Sequence, residues 1–164
     1  MNHVCENCMR HLQYGAMRAS LKARQSGGRL QVQVEALDHV NIITGDLAGT
    51  ADFYASVLGL EARNGPPPLT PETAVWMFDG AGRAIIHINS LDCVRTYDRE
   101  ITPGALTGAL HHVALRVSGY EEMKARLDAR GADYQENFVA AIGLRQIFTA
   151  DPNNVLLELN FFGE

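Results

Sequence analysis

Two stretches of the chain repeat each other, and this repeat limits the architecture more than any other feature. LDHVNIITGDL (37–47) lies over LHHVALRVSGY (110–120), so that His39 meets His112, Val40 meets Val113, Ile42 meets Leu115 and Gly45 meets Ser118. Each stretch runs into a helical pattern that ends at a glycine. In the first, Leu47, Ala51, Tyr54 and Leu58 share a face and Gly59 is the stop; in the second, Tyr120, Met123 and Leu127 share a face and Gly131 is the stop. Ser118 and Glu121 have the spacing of a capping box at the start of the second helix. The far ends of the two halves match as well. AIIHIN (84–89) lies over VLLELN (155–160), which puts His87 on Glu158 and Asn89 on Asn160, each run preceded by a turn sequence, DGAGR or DPNNV. Each half therefore reads as strand, helix, then strands, one unit used twice.

Strand parity gives the repeat a chemical meaning. A histidine alone in an apolar strand such as RAIIHINS (83–90) is ordinarily a core residue satisfied by a hydrogen bond. Side chains alternate faces along a strand with a period of two. His39, Asn41 and Ile43 then share a face, as do His112, Ala114 and Arg116, then Ile85, His87 and Asn89, and finally Leu156, Glu158 and Asn160. The opposite faces are almost wholly apolar and suited to packing under the helices. Two curved sheets related by a pseudo-twofold would bring His39, His87, His112 and Glu158 into one cavity. Of the pair His111–His112, parity selects His112; His111 has core-side parity and suits a hydrogen bond at a strand end.

Bulk composition excludes several classes. The chain has 164 residues, 46% hydrophobic and 20% charged, with a formal net charge of −5. There is no basic stripe interleaved with aromatics, which argues against a nucleic-acid partner, and no apolar run near membrane-spanning length. The N-terminus lacks an apolar signal core, and three cysteines suit a reducing cytoplasm better than a disulfide scaffold. The expected organisation is a tail over 1–34 and a domain over 35–164, with module one at 36–91, a linker at 92–108 and module two at 109–163. Within the tail, His3, Cys5, Cys8 and His11 include a Cys-x2-Cys spacing that zinc can use, in a segment too short to fold around an ion. The long linker reads as a lid or as the crossover that lets modules pair between chains. Cys93 reads as a small buried or linker residue. The Pro-rich run RNGPPPLTPETAVW (63–76) reads as punctuation or as a rim carrying Trp76, with Phe78 nearby.

The segments LDHVNIITGDLAGTADFYASVLGL, LHHVAL and FTADPNNVLLELNF resemble the vicinal oxygen chelate superfamily, which includes glyoxalase I, extradiol dioxygenases, methylmalonyl-CoA epimerase and the fosfomycin and bleomycin resistance proteins. The resemblance covers roughly 35–163. It implies an α+β fold of two βαβββ modules forming a curved mixed-sheet cup around a divalent metal. It also implies His39, His112 and Glu158 as ligands, with His87 standing where glyoxalase I has a glutamate ligand and the epimerase a glutamine. A homodimer is implied too, since short chains of the superfamily commonly pair. Two positions depart from its patterns. Ile43 stands where glyoxalase I has an arginine that helps bind glutathione, and Phe148 stands where extradiol dioxygenases carry a tyrosine.

Two imidazoles and a carboxylate with open positions suit Fe(II) chemistry, and a set of three His and one Glu suits Zn, Ni, Mn or Fe. Such a centre binds adjacent oxygens of a small organic substrate and stabilises an enediolate or catecholate. Glu158 and His87 are the candidates for moving the proton. Asn41, Asn89, Arg116, Arg145 and Phe148 are the expected substrate contacts, Arg145 as a bidentate holder of a carboxylate; a solvated strand-end side chain is the alternative for Arg116 and Arg145. The expected function is a metal-dependent lyase, isomerase or dioxygenase. The alternative is a metal-free protein that sequesters a small molecule, as in the bleomycin resistance branch.

Overall fold

A computed structural model describes residues 34–95 and 100–163. The N-terminal tail expectations, including His3, Cys5, Cys8 and His11, lie outside the described residues, as do positions 96–99 of the linker. Module one comprises β1 (Val40–Thr44), α1 (Leu47–Leu58), β2 (Glu61–Asn64), β3 (Ala74–Phe78) and β4 (Ala84–Ser90). Module two repeats the order with β5 (Val113–Arg116), α2 (Tyr120–Arg130), β6 (Tyr134–Val139), a single 3-10 turn at Ala140–Ile142, β7 (Leu144–Ala150) and β8 (Leu156–Phe162). The strand orders are β1-β4-β3-β2 and β5-β8-β7-β6. In each sheet the first and last strands pair in parallel and the other pairs are antiparallel. A parallel pair needs a long crossover, and the helix with its following hairpin supplies it. The α+β two-module architecture is therefore present in both halves.

The apolar parity positions form the core. Ile42, Met77, Ile86 and Ile88 are buried with Phe53, Tyr54 and Val57 of α1, and Ile147, Leu157, Leu159 and Phe161 with Tyr120, Met123 and Leu127 of α2, in one cluster. Tyr120 sets its ring edge-on to Phe161, with centroids 5.2 Å apart. The buried stripe of α1 is wider than its sequence pattern indicates: Phe53 and Val57 are buried, whereas Leu47 and Leu58 are only partly so. The cause is that α1 packs on β3 and β4 and also against α2. Both helices stop where expected, at Gly59 (φ 69) and Gly131 (φ 62), in the left-handed region that glycine enters without strain. The expected Ser118–Glu121 capping box does not form. Gly119, at φ 86, takes the N-cap place with no side-chain cap, so Ser118 lies one residue too early to cap.

The two modules are tied by a buried polar network. The Tyr54 hydroxyl donates to Asp151 Oδ2 (3.0 Å), while Asp151 Oδ1 accepts from the backbone N–H groups of Asn153 and Val155, both at 2.8 Å. Asn153 Nδ2 donates to Thr50 Oγ1 at 3.0 Å, and Thr50 Oγ1 is 2.9 Å from Thr44 Oγ1. Burial first, and then Asp151, push the Tyr54 phenol well above its usual range, so it remains a donor. At the helix surfaces Arg130 reaches Asp52 Oδ2 at 2.8 Å and Arg126 donates to the Val57 carbonyl at 3.2 Å. In the linker, the described residues carry no helix or strand. Cys93 is buried there, at 3% exposure. No helix among the described residues is long and apolar enough to cross a membrane.

Removing the Tyr54 hydroxyl leaves a fully buried ring of nearly the same shape and strips one donor from a buried carboxylate. Tyr54→Phe should lower unfolding free energy by about 1.5–3 kcal/mol, the scale of a hydrogen bond to a charged group. Urea denaturation will measure it, and in an Asp151→Asn background the loss should shrink.

Candidate metal centre

The strand register confirms which side chains share a face. Asn41 pairs with His87 and Ile43 with Asn89 across β1 and β4, while Trp76 pairs with His87 across β3 and β4. In the second sheet Ala114 pairs with Glu158, Arg116 with Asn160, Gln146 with Asn160 and Phe148 with Glu158. All of these lie on the face away from the helix, because their alternates, Ile86, Ile88, Leu157 and Leu159, lie in the core. His39 and His112 each stand one residue before their strand.

The four candidate ligands are gathered within one chain as two pairs. In module two, His112 Nε2 lies 3.2 Å from Glu158 Oε2, with the Glu158 side chain only 16% exposed. In module one, the His39 and His87 rings stack with centroids 3.9 Å apart, and the Trp76 ring stacks on His87, also at 3.9 Å. Among the described residues no three His, Cys, Asp or Glu side chains come together as one cluster.

In the module-two pair the remaining polar atoms are engaged, and in module one His39 Nδ1 is. Asp38 Oδ2 lies 2.7 Å from His39 Nδ1, and since a carboxylate only accepts, Nδ1 carries a proton and Nε2 is the ring position turned to other partners. His111 Nδ1 lies 2.9 Å from His112 Nδ1, which leaves His112 Nε2 toward Glu158. Glu158 Oε1 accepts from Gln146 Nε2 (2.8 Å) and Asn160 Nδ2 (2.9 Å). Two donor atoms about 2.1 Å from one ion, at angles between a right angle and the tetrahedral one, stand about 3.0–3.4 Å apart. The His112–Glu158 separation falls in that range, so this pair fits as two ligands of a divalent ion. The carboxylate on His39 is the partner that orients a metal-binding imidazole.

The substrate-side expectations divide. Asn41 is exposed on the open face of β1, and Phe148 is half-buried beside Glu158. Arg116 is exposed on the open face, its guanidinium 4.7 Å from the Phe162 ring, and it lines a cleft with Ser118, Gly119 and Arg126. Asn89 is buried at 6% exposure, and its Oδ1 has no hydrogen-bond partner. Arg145 lies apart from these residues. It pairs with Phe161 and Phe138 and holds its guanidinium 4.9 Å from the Tyr120 ring, on the helix side of β7. Period two sends Arg145 to the face opposite Gln146, so it does not stand beside Glu158. His111 bonds at the strand end as expected, but it is exposed rather than on the core side.

Asp38, Asn137 and the Trp76 stack were not identified from sequence. Parity assigns neighbours such as Asp38 and His39 to opposite faces, but His39 precedes β1, where alternation does not hold. Trp76 meets His87 through a hairpin register with an irregularity at Met77–Phe78, which sequence spacing does not reveal. Asn137 was legible in principle, lying on β6 in register with Gln146.

Burial between these rings, and then the neighbouring His39, lower the His87 imidazole from its usual 6.5 to about 4, against the opposing pull of Asp38. The neutral ring is therefore the form present near pH 7. In metal-free protein the unfolded chain takes up this proton before the folded chain does. Stability should thus fall as pH drops from 6.5 to about 4, with no contribution to the slope from His87 above that window. Urea midpoints across the range will test this, and His87→Gln should lose that part of the slope.

A family model described as the Glyoxalase/Bleomycin resistance protein/Dioxygenase superfamily matches residues 36–159. No curated protein sequence matches. Among solved structures, a putative glyoxalase family protein from Bacillus anthracis is similar at 19% identity and TM-score 0.60, over 81% of this chain and 99% of that one. Fosfomycin resistance protein FosX from Listeria monocytogenes is similar at 22% identity and TM-score 0.54, over 79% and 94%. Lactoylglutathione lyase from Agrobacterium tumefaciens is similar at 18% identity and TM-score 0.56, over 78% and 94%. These likenesses carry the fold; together with the family match over most of its length, they establish that the chain belongs to the glyoxalase/bleomycin resistance protein/dioxygenase superfamily.

Proposed function

We propose that the protein is a metal-dependent cytoplasmic enzyme, a lyase, isomerase or dioxygenase, acting on a small organic substrate with adjacent oxygens. The observation that carries this reading is the facing of His112 Nε2 and Glu158 Oε2 at 3.2 Å while the other polar atoms of both side chains are engaged. The residues that would hold the ion are His112 and Glu158 from one open face and His39 from the other, with His87 as a fourth. A divalent ion there, Fe, Zn, Ni or Mn, supplies Lewis acidity toward two adjacent oxygens.

The chain's own groups take distinct roles in this reading. Glu158 is held by two amide donors and serves as ligand. His87 is neutral near pH 7, and its one lone pair either completes the ligand set or accepts a substrate proton. The Trp76 and His39 rings fix the plane of His87 from its two sides. Phe148 and Asn41 line the two faces, and Arg116 offers a cation to an anionic substrate group. Ile43, in the place where glyoxalase I carries an arginine, argues against a glutathione conjugate as substrate.

Because one chain gathers these side chains as two pairs, the reading takes a second copy of the chain. In a twofold dimer, His39 and His87 of one copy face His112 and Glu158 of the other, and symmetry makes two such sites. Elemental analysis of protein purified without added metal should find a first-row divalent ion. A metal-free protein that also fails to take up added ion would instead favour a sequestering role. His39→Ala and Glu158→Ala should each lose metal alone. Co-expressed in equal amounts, they should regain about one quarter of wild-type metal, because half the dimers pair unlike chains and each of those keeps one intact site. A site built within one chain would regain none.

A further inference from the structure

We propose that Gln146 is a positioning residue of the metal centre: by occupying one oxygen of Glu158 it dedicates the other to the ion. This inference rests on the metal-site reading above. Gln146 is 9% exposed on the open face of β7, and every polar atom of its amide is engaged. Its Nε2 donates to Glu158 Oε1 at 2.8 Å and to Asn160 Oδ1 at 2.9 Å, and its Oε1 accepts from Asn137 Nδ2 at 2.7 Å. Asn160 Nδ2 adds a second donor to the same Glu158 oxygen at 2.9 Å. Asn137, Gln146 and Asn160 are direct register partners, so the amides form a line across β6, β7 and β8.

The direction of this line matters. Asn137 donates to the oxygen of Gln146, which turns the Gln146 nitrogen toward the carboxylate. An amide can accept from Asn137 and donate to Glu158 at once. A carboxylate at 146 would repel Glu158, and a hydrocarbon would take the partner from Asn137 Nδ2 and Asn160 Oδ1 and one of two donors from Glu158 Oε1. The result is a carboxylate with Oε1 supplied by two N–H groups and Oε2 turned to His112.

The other half of the repeat serves as an internal control. In module one the residue paired with Asn89 is Ala74, where module two pairs Gln146 with Asn160. There the amide line is absent and Asn89 Oδ1 is left without a partner. The amide line is thus confined to the half of the molecule that bears the carboxylate.

The test uses the full chain stripped of metal and titrated with Co2+, with affinity read by competition against a chromophoric chelator and geometry by visible absorption. Gln146→Met, close in volume and without donors, should bind Co2+ about 10- to 100-fold more weakly, the usual effect of losing a group that orients a ligand. Its absorption band should weaken as Oε1, left with the Asn160 donor alone, joins the ion. Asn137→Ala, on an exposed edge position, should shift affinity in the same direction by less, and it carries the test if Gln146→Met does not fold. Glu158→Ala is the control for the centre itself. Wild-type affinity and spectrum in both amide variants, with binding lost in Glu158→Ala, would overturn the positioning role and leave the metal reading standing. Equal binding by wild type and Glu158→Ala, or none by wild type, would overturn both.

Discussion

Each sheet of this protein has one face pressed against a helix, and period-two alternation sends every second side chain of β4 and β8 to the other face. Ile86 and Ile88 go under α1, so His87 and Asn89 cannot. Leu157, Leu159 and Phe161 go under α2, so Glu158 and Asn160 cannot. A slip of one residue in either strand would bury a histidine or a glutamate and expose the core. The hydrophobic requirement of folding thereby holds the polar side chains of these strands in register on the faces away from the helices.

The second dependence is the tie between modules. The turns before β4 and β8 are built alike: Asp79 Oδ1 accepts from the N–H groups of Ala81 and Arg83, and Asp151 Oδ1 from those of Asn153 and Val155. Their second oxygens diverge. Asp79 Oδ2 takes Arg83 of its own turn at the surface, whereas Asp151 Oδ2 takes the buried Tyr54 hydroxyl of the other module. One copy of a repeated turn thus closes on itself and the other locks the halves together. A buried carboxylate is costly without partners, and here three donors meet that cost.

The open faces follow the same division of a shared plan. Module one carries a stack of Trp76, His87 and His39, which holds a neutral imidazole among flat rings. Module two carries a line of amides that holds a carboxylate by one oxygen. An apolar, π-rich setting suits an uncharged nitrogen donor, and a setting rich in N–H groups suits an anion. The duplicated unit has become chemically complementary without a change of topology.

Much of this was legible in the residues themselves. The offset of His39 to His112 and of His87 to Glu158, the glycine stops at 59 and 131, and the apolar alternates of β4 and β8 follow from local spacing, so the repeat, the order of elements and the faces of His87 and Glu158 could be read directly. By the same parity Arg145 faces away from Gln146 and Glu158. Other features depended on contacts between distant segments. The partner of Tyr54 lies 97 residues away. The Trp76 stack depends on a hairpin register with an irregularity, and the N-cap place of α2 is taken by Gly119 rather than Ser118. Spacing along the chain determined which face each side chain takes, because alternation is a property of a single strand. Only the tertiary structure decided which side chains meet across strands and modules, because those meetings depend on register and on how the helices pack.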